Sequence, residues 1–238
     1  MVLRLEVSEL RADLRGVADR VVVFVRSVEI RNRRDLFAAG EREAVAQSAA
    51  FARAEMASAR AFPNPTATLE YALSLVSGPG LALEFGVFGG STLKIIAAAC
   101  ADRQVFGFDS FEGLPEDWRP GFPAGAFATA LPEVSGAELV VGLFADTLPD
   151  FLAKNPGPVA FLHVDADLYS STRTVLDQVG PRLRPGSVIV FDEYFNYPDW
   201  AEHEHRAWTE YVHETGLRFR YEGYTLDNEQ VIVRITDR

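Results

Sequence analysis

From residue 81 onward short apolar runs alternate with helix-like segments, and this rhythm limits the fold more than any other feature of the chain. Leu81–Phe85, Val105–Phe108, Glu138–Val141, Val159–Val164 and Ser187–Phe191 read as strands. Ser91–Ala101 and Ser171–Val179 read as helices between them, and Thr147 as the N-cap of another. Strands this apolar are buried on both faces, which predicts an α/β fold with a mostly parallel, doubly wound sheet between helical layers. The end of the chain breaks the pattern. Leu217–Thr225 and Gln230–Thr236 are separated only by Leu226-Asp-Asn-Glu229, which predicts an antiparallel hairpin at the sheet edge.

Two of these strands end in pairs of carboxylates. Phe161-Leu-His-Val-Asp-Ala-Asp-Leu-Tyr169 carries Asp165 and Asp167, and the run Ser187–Phe191 leads into Asp192 and Glu193. A lone strand-end aspartate is commonly a solvated helix cap. Two pairs on neighbouring strands, in a fold that binds ligands at the carboxyl ends of its strands, point instead to function. Crowded anions repel unless a cation sits among them, and an all-oxygen set suits Mg²⁺ or another hard divalent cation.

Leu83-Glu-Phe-Gly-Val-Phe-Gly-Gly-Ser-Thr92 follows the first of these strands and opens a helix. Gly86, Gly89 and Gly90 let a ligand approach the backbone, and Ser91 or Thr92 can cap the helix. The spacing is G-x-x-G-G rather than the G-x-G-x-x-G of dinucleotide-binding enzymes. Glu84 would repel a pyrophosphate but attract an ammonium or sulfonium ion. S-adenosylmethionine carries both cations and no phosphate. Twenty-five residues after Glu84, Asp109 ends the second strand, where a carboxylate is placed to accept ribose hydroxyls; Ser110 and Phe111 would lie near the adenine.

Together with Gly107-Phe-Asp-Ser-Phe-Glu-Gly-Leu-Pro115, Gly142-Leu-Phe-Ala-Asp-Thr-Leu-Pro149, Asp165-Ala-Asp-Leu-Tyr-Ser-Ser-Thr172 and Phe191-Asp-Glu-Tyr194, the glycine loop resembles the macrocin O-methyltransferase-type enzymes. These are class I methyltransferases that act on sugar hydroxyls of antibiotics. The resemblance covers roughly residues 62 to 236. It implies S-adenosylmethionine contacts at Glu84, Gly86, Phe88, Gly89, Ser91, Thr92, Asp109, Ser110, Phe111, Asp146 and Asp165. It implies metal ligands at Asp165, Asp192 and Glu193, and a general base at Asp167. The acceptor it implies is a hydroxylated small molecule, most readily a sugar of a glycosylated natural product. A catechol or phenol acceptor, a cofactor-binding protein without turnover, and a nicotinamide oxidoreductase are the other readings.

The rest of the chain adds less. A net charge of −11 argues against nucleic acid or an anionic membrane as partner. The single Cys100 leaves no intrachain disulfide and suits the cytoplasm. Residues 1–61 read as a helical extension, with Leu10, Leu14, Val17, Val21, Phe24 and Val28 at helical spacing and a second helix over Glu41–Ala61. Such a stripe packs on a core, caps a pocket or joins subunits, and a homo-oligomer is expected. Thr66 is the expected cap of a helix over Ala67–Val76, opening the domain of residues 62–238. Residues 112–136 form a long Pro- and Gly-rich loop with Trp118 and Phe122, which reads as a lid. His163, inside an apolar strand, is expected as a hydrogen-bonded core residue, and His203 and His205 as polar helix surface.

Overall fold

The computed structural model describes the backbone of residues 2–237 and the side chains of residues 14–30 and 33–237. Helix α1 (Val2–Arg34) is followed by α2 (Leu36–Glu55), whose first turn is capped by the Asp35 carboxylate accepting from the Ala38 N–H at 3.1 Å. That cap starts α2 earlier than expected, and it stops before a short, unanticipated strand β1 (Arg60–Phe62). Leu10 of the apolar stripe lies outside the described side chains. Leu14, Val17, Val21, Phe24 and Val28 are 40% to 68% exposed, so the stripe does not pack on this chain's own core.

In α3 (Pro65–Ser74) the cap is Asn64, which accepts from the Ala67 N–H at 2.9 Å, and not Thr66. Pro65 fits the first helical position because it has no N–H to leave unpaired, and this moves the cap two residues upstream. The alternating region then runs β2 (Leu81–Phe85), α4 (Ser91–Ala99), β3 (Val105–Asp109), β4 (Glu138–Val141), α5 (Phe144–Lys154), β5 (Val159–Val164), α6 (Tyr169–Val179), β6 (Leu183–Phe191), α7 (Glu204–Thr215), β7 (Arg218–Thr225) and β8 (Val231–Asp237). Thr147 lies inside α5 and not at its cap; its hydroxyl donates back to the Leu143 carbonyl. Ser91 begins α4, while Gly90 occupies the cap position without a side-chain bond.

The strands form one sheet in the order β1-β7-β8-β6-β5-β2-β3-β4. All pairs are parallel except those of β8 with β6 and with β7. The hairpin is therefore not at the edge: β8 is an inner strand, and β1 covers the outer side of β7. The residues explain this, because Val231, Ile232 and Val233 are consecutive and all buried, which requires cover on both faces. One face packs Leu83, Phe85, Phe108, Leu162, Val164 and Phe191 against α5, α6 and α7. The other packs Ala82, Phe161, Val188, Val190 and Ile232 against α3 and α4. The strand order reverses between β2 and β5, which opens a crevice at their carboxyl ends. Among the described residues no helix is long and apolar enough to cross a membrane.

Candidate active site

The crevice holds a cavity of ≈ 510 Å³. Its back wall begins at Gly86, where β2 passes so close to the end of β5 that any Cβ would collide with the Asp165 backbone. From β3, the Asp109 carboxylate holds the glycine loop in place. Oδ2 accepts from the Val87 and Phe88 N–H groups at 2.9 and 2.8 Å, and Oδ1 accepts from the Phe111 N–H at 2.8 Å. Phe88 adopts φ +47° and Phe111 φ +59°, values that favour glycine and that bulky side chains rarely take.

Of the cofactor residues expected from the sequence, Gly86, Phe88, Asp109, Ser110 and Asp165 line the cavity. Gly89, Ser91, Thr92, Phe111 and Asp146 flank it without lining it. Glu84 lies behind the wall, fully buried, with Oε1 2.9 Å from His163 Nδ1. The Thr92 side chain also interacts with this carboxyl.

The floor is acidic. One oxygen each from Asp165, Asp167 and Glu193 lie within 4.8 Å of one another, and Glu193 Oε2 is buried without a partner. Burial, and then the charges of the neighbouring carboxylates, hold Asp165 and Glu193 well above the usual carboxylate range. Burial also pushes Asp167 up to about 7, with Arg119 pulling the other way. An unpartnered buried oxygen beside mutually repelling carboxylates is the donor set that a hard divalent cation satisfies, so the residues present fit such an ion.

Asp192 also lines the cavity but stands outside the tightest group, with Oδ1 3.4 Å from His163 Nε2 and Oδ2 accepting from Gln230 Nε2 at 3.1 Å. Asp167 takes φ +59°, a left-handed backbone conformation that L side chains rarely adopt. Sequence reading separated Asp167 from the ligands by role; the geometry groups it with Asp165 and Glu193.

His163 is a hydrogen-bonded core residue, as expected, but its two partners are what sequence could not show. Burial alone would push the imidazole down. The hydrogen bonds to Asp192 and Glu84 outweigh it and hold its pKa well above the ordinary value. The side chain bridges the buried carboxylate behind the glycine loop to the carboxylate at the end of β6. The register foretells the contact, since Glu84 pairs with His163 across β2 and β5.

The loop of residues 112–136 supplies another wall through Leu114, Trp118, Arg119, Phe122 and Phe127. Phe122 stacks on Phe127 with ring centroids 5.3 Å apart. The Arg119 guanidinium lies 3.9 Å over the Trp118 ring and pairs with Glu229 in the β7–β8 turn at 3.2 Å. His203 and His205 are not polar helix surface. His205 packs edge-on against Trp200, Tyr194 and Phe51, and burial pushes it down to about 4. Neither histidine lines the cavity.

Among the described residues the acidic lining is opposed by a single cationic side chain, Arg119, itself paired with Glu229. Such a cavity disfavours a pyrophosphate and favours a cationic ligand. Residues 83–194 match the family model of a methyltransferase domain.

The chain is 32% identical over 142 residues to the 8-demethyl-8-(2,3-dimethoxy-alpha-L-rhamnosyl)-tetracenomycin-C 4'-O-methyltransferase of Streptomyces olivaceus, a match covering 49% of this chain and 53% of that protein. It is 30% identical over 158 residues to the demethyldecarbamoylnovobiocin O-methyltransferase of Streptomyces niveus, covering 54% and 59%. The matches thus span little more than half the length of these relatives. Among solved structures, the calicheamicin methyltransferase CalS11 superposes with a TM-score of 0.59 at 26% identity, covering 71% of this chain and 77% of that one. The O-methyltransferase NovP shares the fold, with a TM-score of 0.56 at 24% identity, covering 72% and 79%.

Proposed function

We propose that this protein transfers the methyl group of S-adenosylmethionine to a hydroxyl of a small molecule, most directly a sugar of a glycosylated natural product, with Mg²⁺ or another divalent cation at the acidic cluster. One observation carries the reading. The methyltransferase domain's glycine loop and the Asp165, Asp167 and Glu193 carboxylates open into the same cavity, at the reversal of strand order. The tetracenomycin relative is named as acting on a rhamnosyl group, which supports a sugar acceptor.

In this reading Gly86, Phe88, Ser110 and Asp165 contact the methyl donor. Asp109 Oδ1, already accepting one backbone N–H, takes a ribose hydroxyl as well. Glu84 stands behind the cavity wall and is proposed to favour the ammonium group electrostatically from there, without lining the cavity. Gly89, Ser91, Thr92, Phe111 and Asp146 complete the cofactor site from its margins. Asp165, Asp192 and Glu193 hold the cation. A cation held there would supply positive charge that makes the acceptor hydroxyl more acidic. A sugar hydroxyl is too weak an acid for a carboxylate to deprotonate unaided, and Asp167 accepts that proton. Residues 112–136 act as a lid over residues of the 62–238 domain, with Trp118, Phe122 and Phe127 shielding the reacting groups from water.

The extension of residues 1–61 is proposed to join copies of the chain, because its apolar stripe is exposed among the described residues. A cytoplasmic location is proposed with it, from the lone, buried Cys100.

Calorimetry with S-adenosylhomocysteine and with NAD tests the cofactor assignment. Micromolar binding of S-adenosylhomocysteine alone is expected; tight NAD binding overturns it.

A further inference from the structure

Glu204, the first residue of α7, is fully buried and does not line the cavity. Its Oε2 accepts from the Glu193 N–H at 3.0 Å, and its Oε1 accepts from the Ala166 N–H at 3.4 Å. These two amides belong to different strand ends. Glu193 follows β6, and Ala166 lies between Asp165 and Asp167 after β5. The ladder between β5 and β6 ends with the Asp192 N–H donating to the Val164 carbonyl at 2.8 Å. Beyond that bond, Glu204 is what spans the two acidic loops.

A carboxylate buried beside other carboxylates is costly, and a shorter or neutral residue could equally begin a helix. What a carboxylate does that a carboxamide cannot is accept on both oxygens at once. We propose that Glu204 is a positioning residue that fixes the separation of the two strand-end loops, and so sets Asp165 and Asp167 against Glu193. The proposal rests on reading that cluster as the cation and base site. It assigns Glu204 no contact with acceptor or methyl donor.

The test uses the full chain, with Glu204→Gln and Glu204→Asp compared to wild type by amide hydrogen exchange and by calorimetric titration with Mn²⁺ and with S-adenosylhomocysteine. Glu204→Gln keeps the size but turns an NH₂ group toward one of the two amides. We expect faster exchange at the Ala166 and Glu193 amides, Mn²⁺ affinity lower by about 10- to 100-fold, and unchanged S-adenosylhomocysteine affinity. Glu204→Asp keeps both acceptors on a shorter reach and should lose less.

Unchanged exchange, or faster exchange with wild-type Mn²⁺ affinity, overturns the proposal. So does a matching loss of S-adenosylhomocysteine binding, which marks a general structural role. If Glu204→Gln does not fold, Glu204→Asp decides by the same readouts. Failure of wild type itself to bind Mn²⁺ defeats the cation reading, and the exchange data then judge the bridge alone.

Discussion

The carbonyl oxygen of Asp165 stands 1.8 Å from the point where a Cβ on Gly86 would lie. The glycine loop and the acidic strand end are therefore in direct backbone contact, and the Asp165 N–H also donates to the Phe85 carbonyl at 2.8 Å. Gly86 also holds φ +95°. Gly86→Ala should destabilise the fold by about 1–3 kcal/mol or more from overpacking and backbone strain together. It should also weaken S-adenosylhomocysteine binding. Chemical denaturation and calorimetry check both, and a wild-type midpoint would show that the two strand ends separate freely.

Asp167→Asn removes the proposed proton acceptor while keeping the side chain's size. Turnover should fall about 10²- to 10⁴-fold with S-adenosylhomocysteine affinity unchanged. Unchanged turnover would move the base to another group.

The metal-free protein should lose stability as the pH rises. Asp167 titrates near 7 in the folded chain against an ordinary value of 3.8. The folded state holds its proton longer than the unfolded state does. The stabilisation is therefore fully present below about pH 4 and is lost as the pH climbs through about 7. Asp165 and Glu193 shift in the same direction. Thermal melts in EDTA should show a falling midpoint between about pH 5 and about pH 8, and added Mn²⁺ should oppose the fall. A midpoint that ignores Mn²⁺ across this range would argue against a cation at the cluster.

The alternation of strands and helices, the glycine loop and both acidic strand ends were legible because each depends on local pattern. What escaped notice depends on tertiary contact. The insertion of β8 between β6 and β7 follows from burial on both faces of Val231–Val233, a cue present in the run but overruled by the short hairpin link. The His163 bridge requires knowing that β2 and β5 pair in register. Glu204 lies between His203 and His205 in the sequence, and only the packing of α7 against the strand ends reveals its two amide partners. The positive φ of Phe88 and Asp167 leaves no trace in residue type. Asn64 and Thr66 are both good cap residues, and the preference of proline for the first helical position decides for Asn64.

Leu14, Val17, Val21, Phe24 and Val28 recur at alternating spacings of three and four, the seam of a coiled coil, on a helix whose apolar face is open to solvent. A second copy of the same seam is a fitting cover. Val21→Glu should convert the assembly to smaller species in sedimentation while leaving S-adenosylhomocysteine binding intact. A wild-type protein that sediments as a monomer contradicts this role for residues 1–61.

The most direct measurement is transfer of a radiolabelled methyl group from S-adenosylmethionine to a panel of glycosides and catechols, with Mg²⁺ and with EDTA. Label on a glycoside hydroxyl with Mg²⁺, lost in EDTA and restored by added Mg²⁺, is the predicted result. Label confined to catechols, full transfer in EDTA, or no transfer to any acceptor despite bound cofactor would contradict a metal-dependent sugar O-methyltransferase.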